Sequence, residues 1–317
     1  MTATSVTRIG VAGIAVLCGA LASAPYLLAL TGAPSSILLA YLAQLPVFAA
    51  GLWRGMGTAA LAGTVAILLL LAAGGILAAG VFAALNVLPV LLLVRQSLLA
   101  RAGADGAVEW YPPGLLTAWL AGLALVGLIV FLSLAGGPDD IRTELSELLT
   151  PMLQRSSDEG ASDHAELLGF LSFILPGILA ASWMVLTASN GILAQGMLTR
   201  FGISWRSSPD LAALSLPKWL PILLAAAVGA TLIDGTMRFF GINVIIVLAV
   251  PFCLAGLGVL HTVARRFARP AIPLVTFYVL AGVFGWPLLL AMLLGVLESS
   301  LGIRRRFAQP QSFGGTQ

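Results

Sequence analysis

Asp234 and Arg238 stand four residues apart in ATLIDGTMRFFG, residues 230–241, at the end of a long apolar run. An acid and a base at that spacing share one face of a helix and can form an ion pair. Inside a bilayer such a pair can clamp a charged ligand, or it can anchor a helix end by snorkelling towards the headgroups. If the helix enters at Trp219, Asp234 lies about 22 Å along it, in the outer part of a roughly 30 Å hydrocarbon core. A ligand-facing pair at the mouth of an outward cavity and a plain interfacial anchor are both compatible with these residues.

Other polar residues interrupt apolar runs in the same way. Gln44 and Asn86 do so in the first third of the chain, the latter in LNVLP. Ser182, Thr187, Ser189, Asn190 and Gln195 string along one stretch, and Glu298 lies in the last. Ionisable groups at membrane depth are costly and usually face a protein interior or a water cavity, whereas neutral amides more often join helices. Asp234, Arg238, Asn86, Asn190, Gln195 and Glu298 are therefore the candidate ligand-binding residues. For the amides, Gln44 included, interhelical hydrogen bonding is the competing role. His261 with Arg265 reads as an interfacial cap.

Enzyme chemistry finds little footing. The single lysine, Lys218, follows Pro217, so there is no GxxxxGK[ST] phosphate loop. His164 and His261 belong to no HExxH, and Asp234 has no second aspartate at membrane depth with which to form a protease dyad. Ser204 in GIS has no paired base. The expectation is a protein that is not an enzyme, with no catalytic residue, no metal and no cofactor.

The elements that must position these residues follow from composition. Hydrophobic residues make up 59% of the 317, and only 9% are charged. Mean hydropathy is +1.03. A soluble domain carries about 25% charged residues, so this chain cannot coat a globule with polar side chains. It is expected to be an all-α polytopic helical bundle in the lipid bilayer, one integral domain over 1–317 with about eight to ten spans. Candidate spans are 9–30, 36–52, 57–74, 76–94, 113–135, 167–199, 219–239, 242–260, 271–284 and 286–303. The third and fourth are separated by Gly74-Gly75 and the last two by Gly285 near Pro287, and Pro176-Gly177 predicts a kink in the sixth. The last two are short and could form a re-entrant hairpin. Ala22-Ser23-Ala24 has the look of a signal cleavage site, but Pro25 and the apolar run through Leu30 favour a retained first helix. Cys18 and Cys253 read as small core residues rather than a disulfide.

Basic residues give an orientation. With the N-terminus inside, Arg142, Arg155 and Arg238 fall outside, and the remaining thirteen of the 16 Lys and Arg residues fall on the cytoplasmic side. That asymmetry predicts cytoplasmic termini. Because the arginines scatter over helix ends, nucleic acid is not an expected partner. The outer loop 136–166 is acidic. Within it Ile141, Leu145, Leu148, Leu149 and Met152 form one helical stripe after Asp139-Asp140, which predicts an amphipathic interfacial helix over 139–153.

PFCLAGLGVLHTVARRF (251–267), Tyr278 and LLGVLESSLGIRRRF (293–307) resemble the C-terminal third of the YybS-like family of bacterial inner-membrane proteins. The residues that carry the resemblance are Pro251, Gly256, His261, Tyr278, Gly295, Glu298 and Arg304 to Arg306. The closing acid is often aspartate in that family, so Glu298 departs from it, and the first half of the chain matches only in hydropathy. The family is similar, in its N-terminal bundle, to the substrate-binding S components of energy-coupling-factor vitamin transporters. Those dock a coupling subunit through a small-xxx-small face on the first helix, and Ala15, Gly19 and Ser23 offer such a face here. The resemblance implies a multi-pass protein of the bacterial inner membrane that binds or takes up an unidentified small molecule with the help of other membrane subunits. A non-transporting scaffold whose polar residues only hold helices together is the competing reading.

The topology is tested by labelling. In a Ser157→Cys variant, a membrane-impermeant thiol reagent applied to intact cells is expected to modify position 157. Labelling only after lysis excludes this orientation.

Overall fold

The computed structural model describes residues 10–32, 35–103, 106–153 and 161–304. The chain is all-α, as expected, apart from one small hairpin. In order come α1 (Val11–Ala29), α2 (Ser35–Ala40), α3 (Leu45–Arg54) and α4 (Met56–Phe82). A π-turn (Ala83–Val87), α5 (Leu88–Ser97) and strands β1 (Ala100–Ala102) and β2 (Val108–Trp110) follow. The rest is α6 (Pro113–Ala135), α7 (Pro138–Leu153), α8 (Ala161–Arg200), a 3-10 turn (Leu211–Ala213), α9 (Trp219–Ala230), α10 (Thr236–Ala264), α11 (Ala271–Phe284) and α12 (Pro287–Leu301). The fold has two compact units. The first lies within Met1–Leu120 and Val185–Pro209, the second within Ala121–Met184 and Asp210–Gln317.

The first unit is built on a fold-back. Gly75 inside α4 has φ 79° and ψ −177°, outside the helical region and open only to glycine. On a straight helix residues 63 and 87 would stand about 36 Å apart. Instead Gly63 lies so close to the Val87 side chain that a Cβ has no room there. The chain therefore reverses at Gly75, and 56–74 and 76–97 form an antiparallel helical hairpin, the break expected at Gly74-Gly75. Each arm has about 20 residues, enough to cross a bilayer. Against the first arm packs α1, where a Cβ on Gly19 would lie 2.5 Å from Ala62 O. Ala15, Ala50 and Ala62 are buried together beside Cys18.

The second unit is organised by α10 and α12, which cross with Gly256 against the Ala291 carbonyl and Gly295 against the Phe252 carbonyl. A methyl group at either glycine would collide with backbone. Such approach gains dispersion contact in lipid, where no hydrophobic force drives helices together. On the other flank of α10, Gly241 admits Ala227 O of α9, 2.7 Å from where a Cβ would be.

Several expected spans are corrected. The helix expected over 219–239 is broken. It ends at Ala230, and residues 231–235 form turns closed by Gly235 at φ 76° before α10 begins. The stretch 36–52 contains a turn at 41–44 between α2 and α3, whereas the sixth span, expected over 167–199, is found over Glu166–Arg200 within the longer α8. The last pair, of 14 and 15 residues, is bent by 120° around Gly285 at φ 72°. Each is too short to cross a roughly 30 Å core alone. Among the described residues, five apolar stretches are long enough to cross a membrane, or six with the bent pair counted as one span. One of the five is the Gly75 hairpin. Breaks at single glycines, which average hydropathy does not register, leave several of the expected segments shorter than a full crossing.

In α7, Asp139 and Asp140 occupy the first turn, Ile141 is buried, Leu145 is half-buried and Leu148 is exposed. Residues 154–160, with Arg155, and residues 305–317, with Arg305 and Arg306, lie outside the described residues.

Pro176 removes the N–H that a regular helix would offer to the Ser172 carbonyl, which weakens α8 at that turn. Asn243 of α10 enters there. Its Oδ1 accepts from Gly177 N at 2.6 Å, and its Nδ2 donates to Phe173 O at 2.9 Å and to Phe239 O at 2.8 Å. One side-chain amide thus serves the residue pair, 173 and 177, that flanks the proline turn. Gly177 makes the approach possible, since a Cβ there would stand 2.8 Å from Asn243 Oδ1. Phe173 and Phe239 pack edge to face beside it, 5.2 Å between centroids. Asn243→Leu keeps the volume but takes the side-chain partner from two buried backbone groups. A loss of about 2 kcal/mol or more is expected, read as a lower unfolding midpoint in detergent; an unchanged midpoint excludes this role for Asn243.

Candidate functional site

Within the first unit the turn 41–44 is tied to two elements by amides. Gln44 Nε2 donates to Leu85 O at 3.1 Å, the carbonyl whose i+4 residue is Pro89. Asn190 Nδ2 donates to Tyr41 O at 2.7 Å and to Leu186 O at 2.8 Å. Next to Leu85, in the π-turn, Asn86 Nδ2 donates to Tyr26 Oη at 3.1 Å, and the Tyr26 ring packs edge-on against Phe82. π-turns recur at functional sites because the extra residue re-aims side chains.

With both NH2 groups committed as donors, the amide oxygens are left over. Gln44 Oε1, Asn190 Oδ1 and the hydroxyl Thr187 Oγ1 are buried and have no hydrogen-bond partner among the described residues. Their residues are 5%, 2% and 0% exposed. Asn190 bonds the turn that carries Gln44, and Thr187 lies one turn before Asn190 on α8. The two carbonyl oxygens accept only, and the hydroxyl can do so, so each suits an N–H or O–H donor. Orphaned buried oxygens of this kind cost about 1–3 kcal/mol each. Gln195, in the last turns of α8, donates to Arg206 O at 2.8 Å and Thr199 Oγ1 at 3.2 Å instead.

In the second unit two carboxylates, Glu298 and Asp210, are paired with arginines. Glu298 Oε1 accepts from Arg304 Nε at 2.8 Å and its Oε2 from Arg304 N at 2.9 Å, with the two side chains 10% and 14% exposed. Gly302, left-handed at φ 62°, ends α12 and turns the chain so that Arg304 comes back over Glu298. The same guanidinium donates to Ala212 O, and to Leu214 O at 2.5 Å, holding the 3-10 turn. Asp210 caps that turn at Ala212 N and takes a two-pronged contact from Arg265 at 2.8 and 3.0 Å. The Arg265 hydrogen bonds, and after them the one from Ala212 N, hold the Asp210 carboxyl below its usual range. Seven residues of the C-terminal motif thus meet largely one another. Gly256 meets Gly295, Glu298 meets Arg304, and the His261 and Tyr278 rings lie 6.1 Å apart. Pro251 is buried within α10, and His261 Nδ1 stays with Leu257 O at 2.9 Å.

The opening pair is placed differently from its helical expectation. Asp234 sits in the turn before α10, its side chain 100% exposed, 4.0 Å from an Arg238 side chain that is 57% exposed. At that exposure the contact is a long one on the surface of the fold at a helix start, not a couple buried among other side chains. The Ala15, Gly19 and Ser23 face is likewise corrected as a docking surface. All three are buried within the first unit, with Gly19 against α4. Sequence reasoning missed Asn243, Tyr26, Asp210 and Arg206 as structural partners. Asn243 was visible as an amide in the apolar run INVIIV, the same signal that marks Asn86.

Removing Glu298 should leave Arg304 largely buried beside no acid. Glu298→Ala is expected to cost about 3 kcal/mol and to lower the unfolding midpoint, while Asp234→Ala leaves it within error. Equal midpoints for the two variants exclude the clamp.

A family described as predicted membrane proteins, DUF2232, matches residues 20–298. No curated protein and no solved structure matches the chain. The match covers most of the sequence, including the Gly75 hairpin, the amide cluster and the Gly256–Gly295 crossing, so the chain belongs to the DUF2232 family of predicted membrane proteins.

Proposed function

We propose that this multi-pass membrane protein is a small-molecule binding or uptake component of the bacterial inner membrane that depends on partner subunits for energy, with both termini cytoplasmic. The YybS-like resemblance and its likeness to S components support this reading. The observation that carries it is the set of buried oxygens without partners at Gln44, Thr187 and Asn190. Oxygens of this kind in an apolar surround favour a ligand that brings amine, amide or hydroxyl hydrogens. Asn86 and Gln195 would line or brace such a site. The reading gives the chain no enzymatic role, and Asp210 and Glu298 are engaged with arginines in ion pairs. The scaffold reading is favoured instead by one fact: Asn86, Asn190 and Gln195 each already join separate segments.

Thr187→Val separates the two. It removes only an unpartnered hydroxyl, so the fold should be as stable as the parent or more so. Mass spectrometry of the detergent-extracted protein is expected to find a retained small molecule, with occupancy reduced about fivefold in the variant, as the loss of one hydrogen bond of about 1 kcal/mol predicts. A parent that retains nothing, or equal occupancy in the two, leaves the scaffold.

A further inference from the structure

Arg206 lies in the segment after α8, yet it is only 7% exposed. Its Nη1 donates to Ser97 O, at the end of α5, at 2.9 Å. Its Cζ stands 6.0 Å from the ring centroid of Trp110 in β2. Its Nε is buried and has no partner among the described residues. No carboxylate there lies within ion-pair reach of it; Glu109, in the neighbouring hairpin, is taken by Arg101 at 2.7 Å.

A guanidinium withdrawn from water without a counter-charge is a costly arrangement, several kcal/mol by general estimates. The carboxyl end of α5 returns about half a negative charge, and Ser97 O uses one of five N–H donors. Of the remaining donors, the one on Nε is enclosed without a partner among the described residues. Burial lowers the Arg206 pKa, but a guanidinium remains protonated at physiological pH. Thr199 Oγ1 lies 3.4 Å from Ser204 Oγ and 3.1 Å from Ser208 Oγ, so hydroxyls flank Arg206 along the same loop. Arg95 and Arg200, exposed in the last turns of α5 and α8, add positive charge to this unit, which raises the local concentration of anions.

We propose that Arg206 anchors an oxyanion site for a phosphate group, presented either by an anionic lipid headgroup or by a free phosphate or phosphorylated solute. The planar fork of arginine matches phosphate oxygens in two-pronged contact, which a lysine cannot reproduce. Arginine-lined recesses at the ends of membrane helices bind lipid phosphates by this chemistry. The site is separate from the oxygen cluster at Thr187 and Asn190, and of opposite hydrogen-bonding character, so it stands whether or not that cluster binds a ligand.

The test uses the full chain in nanodiscs of phosphatidylcholine alone or mixed with phosphatidylglycerol. Lipids retained by the protein are read by native mass spectrometry. In the phosphatidylcholine discs, Tm is read with inorganic phosphate against chloride at equal ionic strength. The parent is expected to prefer phosphatidylglycerol by roughly tenfold, the worth of a charge-assisted contact, or to gain Tm with phosphate. Arg206→Gln should remove the effect and Arg206→Lys restore only part of it. A lipid preference assigns the site to a headgroup, and a phosphate shift without lipid preference assigns it to a soluble phosphate. A parent with neither effect overturns the proposal even if Arg206→Gln fails to fold. Equal effects in parent and Arg206→Gln also overturn it, leaving Arg206 as a cap on α5 and the exposed arginines as the attraction.

Discussion

A peptide group in the hydrocarbon of a bilayer has no water to bond, so each break in a helix at that depth must be answered by another protein group. The described residues meet this demand with side-chain amides at three places. Gln44 serves Leu85 O ahead of Pro89, Asn190 serves Tyr41 O in the turn before α3, and Asn243 serves Gly177 N and Phe173 O around Pro176. Each amide bonds across a long stretch of sequence, so satisfying a local break also fixes which segments lie together. An unanswered break would cost several kcal/mol, comparable with the whole margin of a folded protein. The prolines and the amides are therefore two halves of one device.

Close approach is the second requirement, and it comes from glycine. Helices in lipid gain little from apolar burial, so they associate through backbone contact and dispersion. Gly63 lets the hairpin arms touch, Gly177 lets Asn243 reach α8, and Gly256 with Gly295 lets α10 and α12 cross at backbone distance. That last crossing has a consequence down the chain. It holds the end of α12 beside α10, and the left-handed Gly302 then returns Arg304 onto Glu298 and the 3-10 turn. Gly258 is tight against Leu211 O, 2.6 Å from where a Cβ would sit, so the same turn is seated on α10. Packing, capping and the buried ion pair form one causal sequence.

Much of the fold was legible from residue type. The helix over 113–135 appears with those bounds, and Gly74-Gly75 marked the reversal. What escaped did so for identifiable reasons. The helix from Trp219 ends at Ala230 and the next begins only after Gly235 at positive φ, a break that hydropathy over 219–239 does not register. The acid and base four apart were thus placed on a helix that does not exist there. The Ala15–Gly19–Ser23 face, expected to dock another subunit, is buried within the chain, and small-residue spacing does not name the partner, which at Gly19 is α4. The hairpin of β1 and β2 is only three residues a strand, too short for an alternation signal. The C-terminal motif was legible as a set, yet its pairing into Gly256–Gly295 and Glu298–Arg304 needed the crossing geometry.

The two units differ in what their polar groups leave undone. In the second, the Asn243 amide is fully bonded and the carboxylates of Asp210 and Glu298 hold arginines, an arrangement that rigidifies and asks for nothing further. In the first, the same amide chemistry leaves oxygens over at Gln44, Thr187 and Asn190, and a guanidinium over at Arg206. A sequence that closes its polar groups so thoroughly at Pro176 has the means to close them at the turn 41–44 as well. A valine at 187 or a carboxylate near 206 would suffice. The groups left open have opposite characters, acceptors beside the turn and a cation after α8, so one molecule could not complete both. In the first unit, folding chemistry stops short of full satisfaction at those two places.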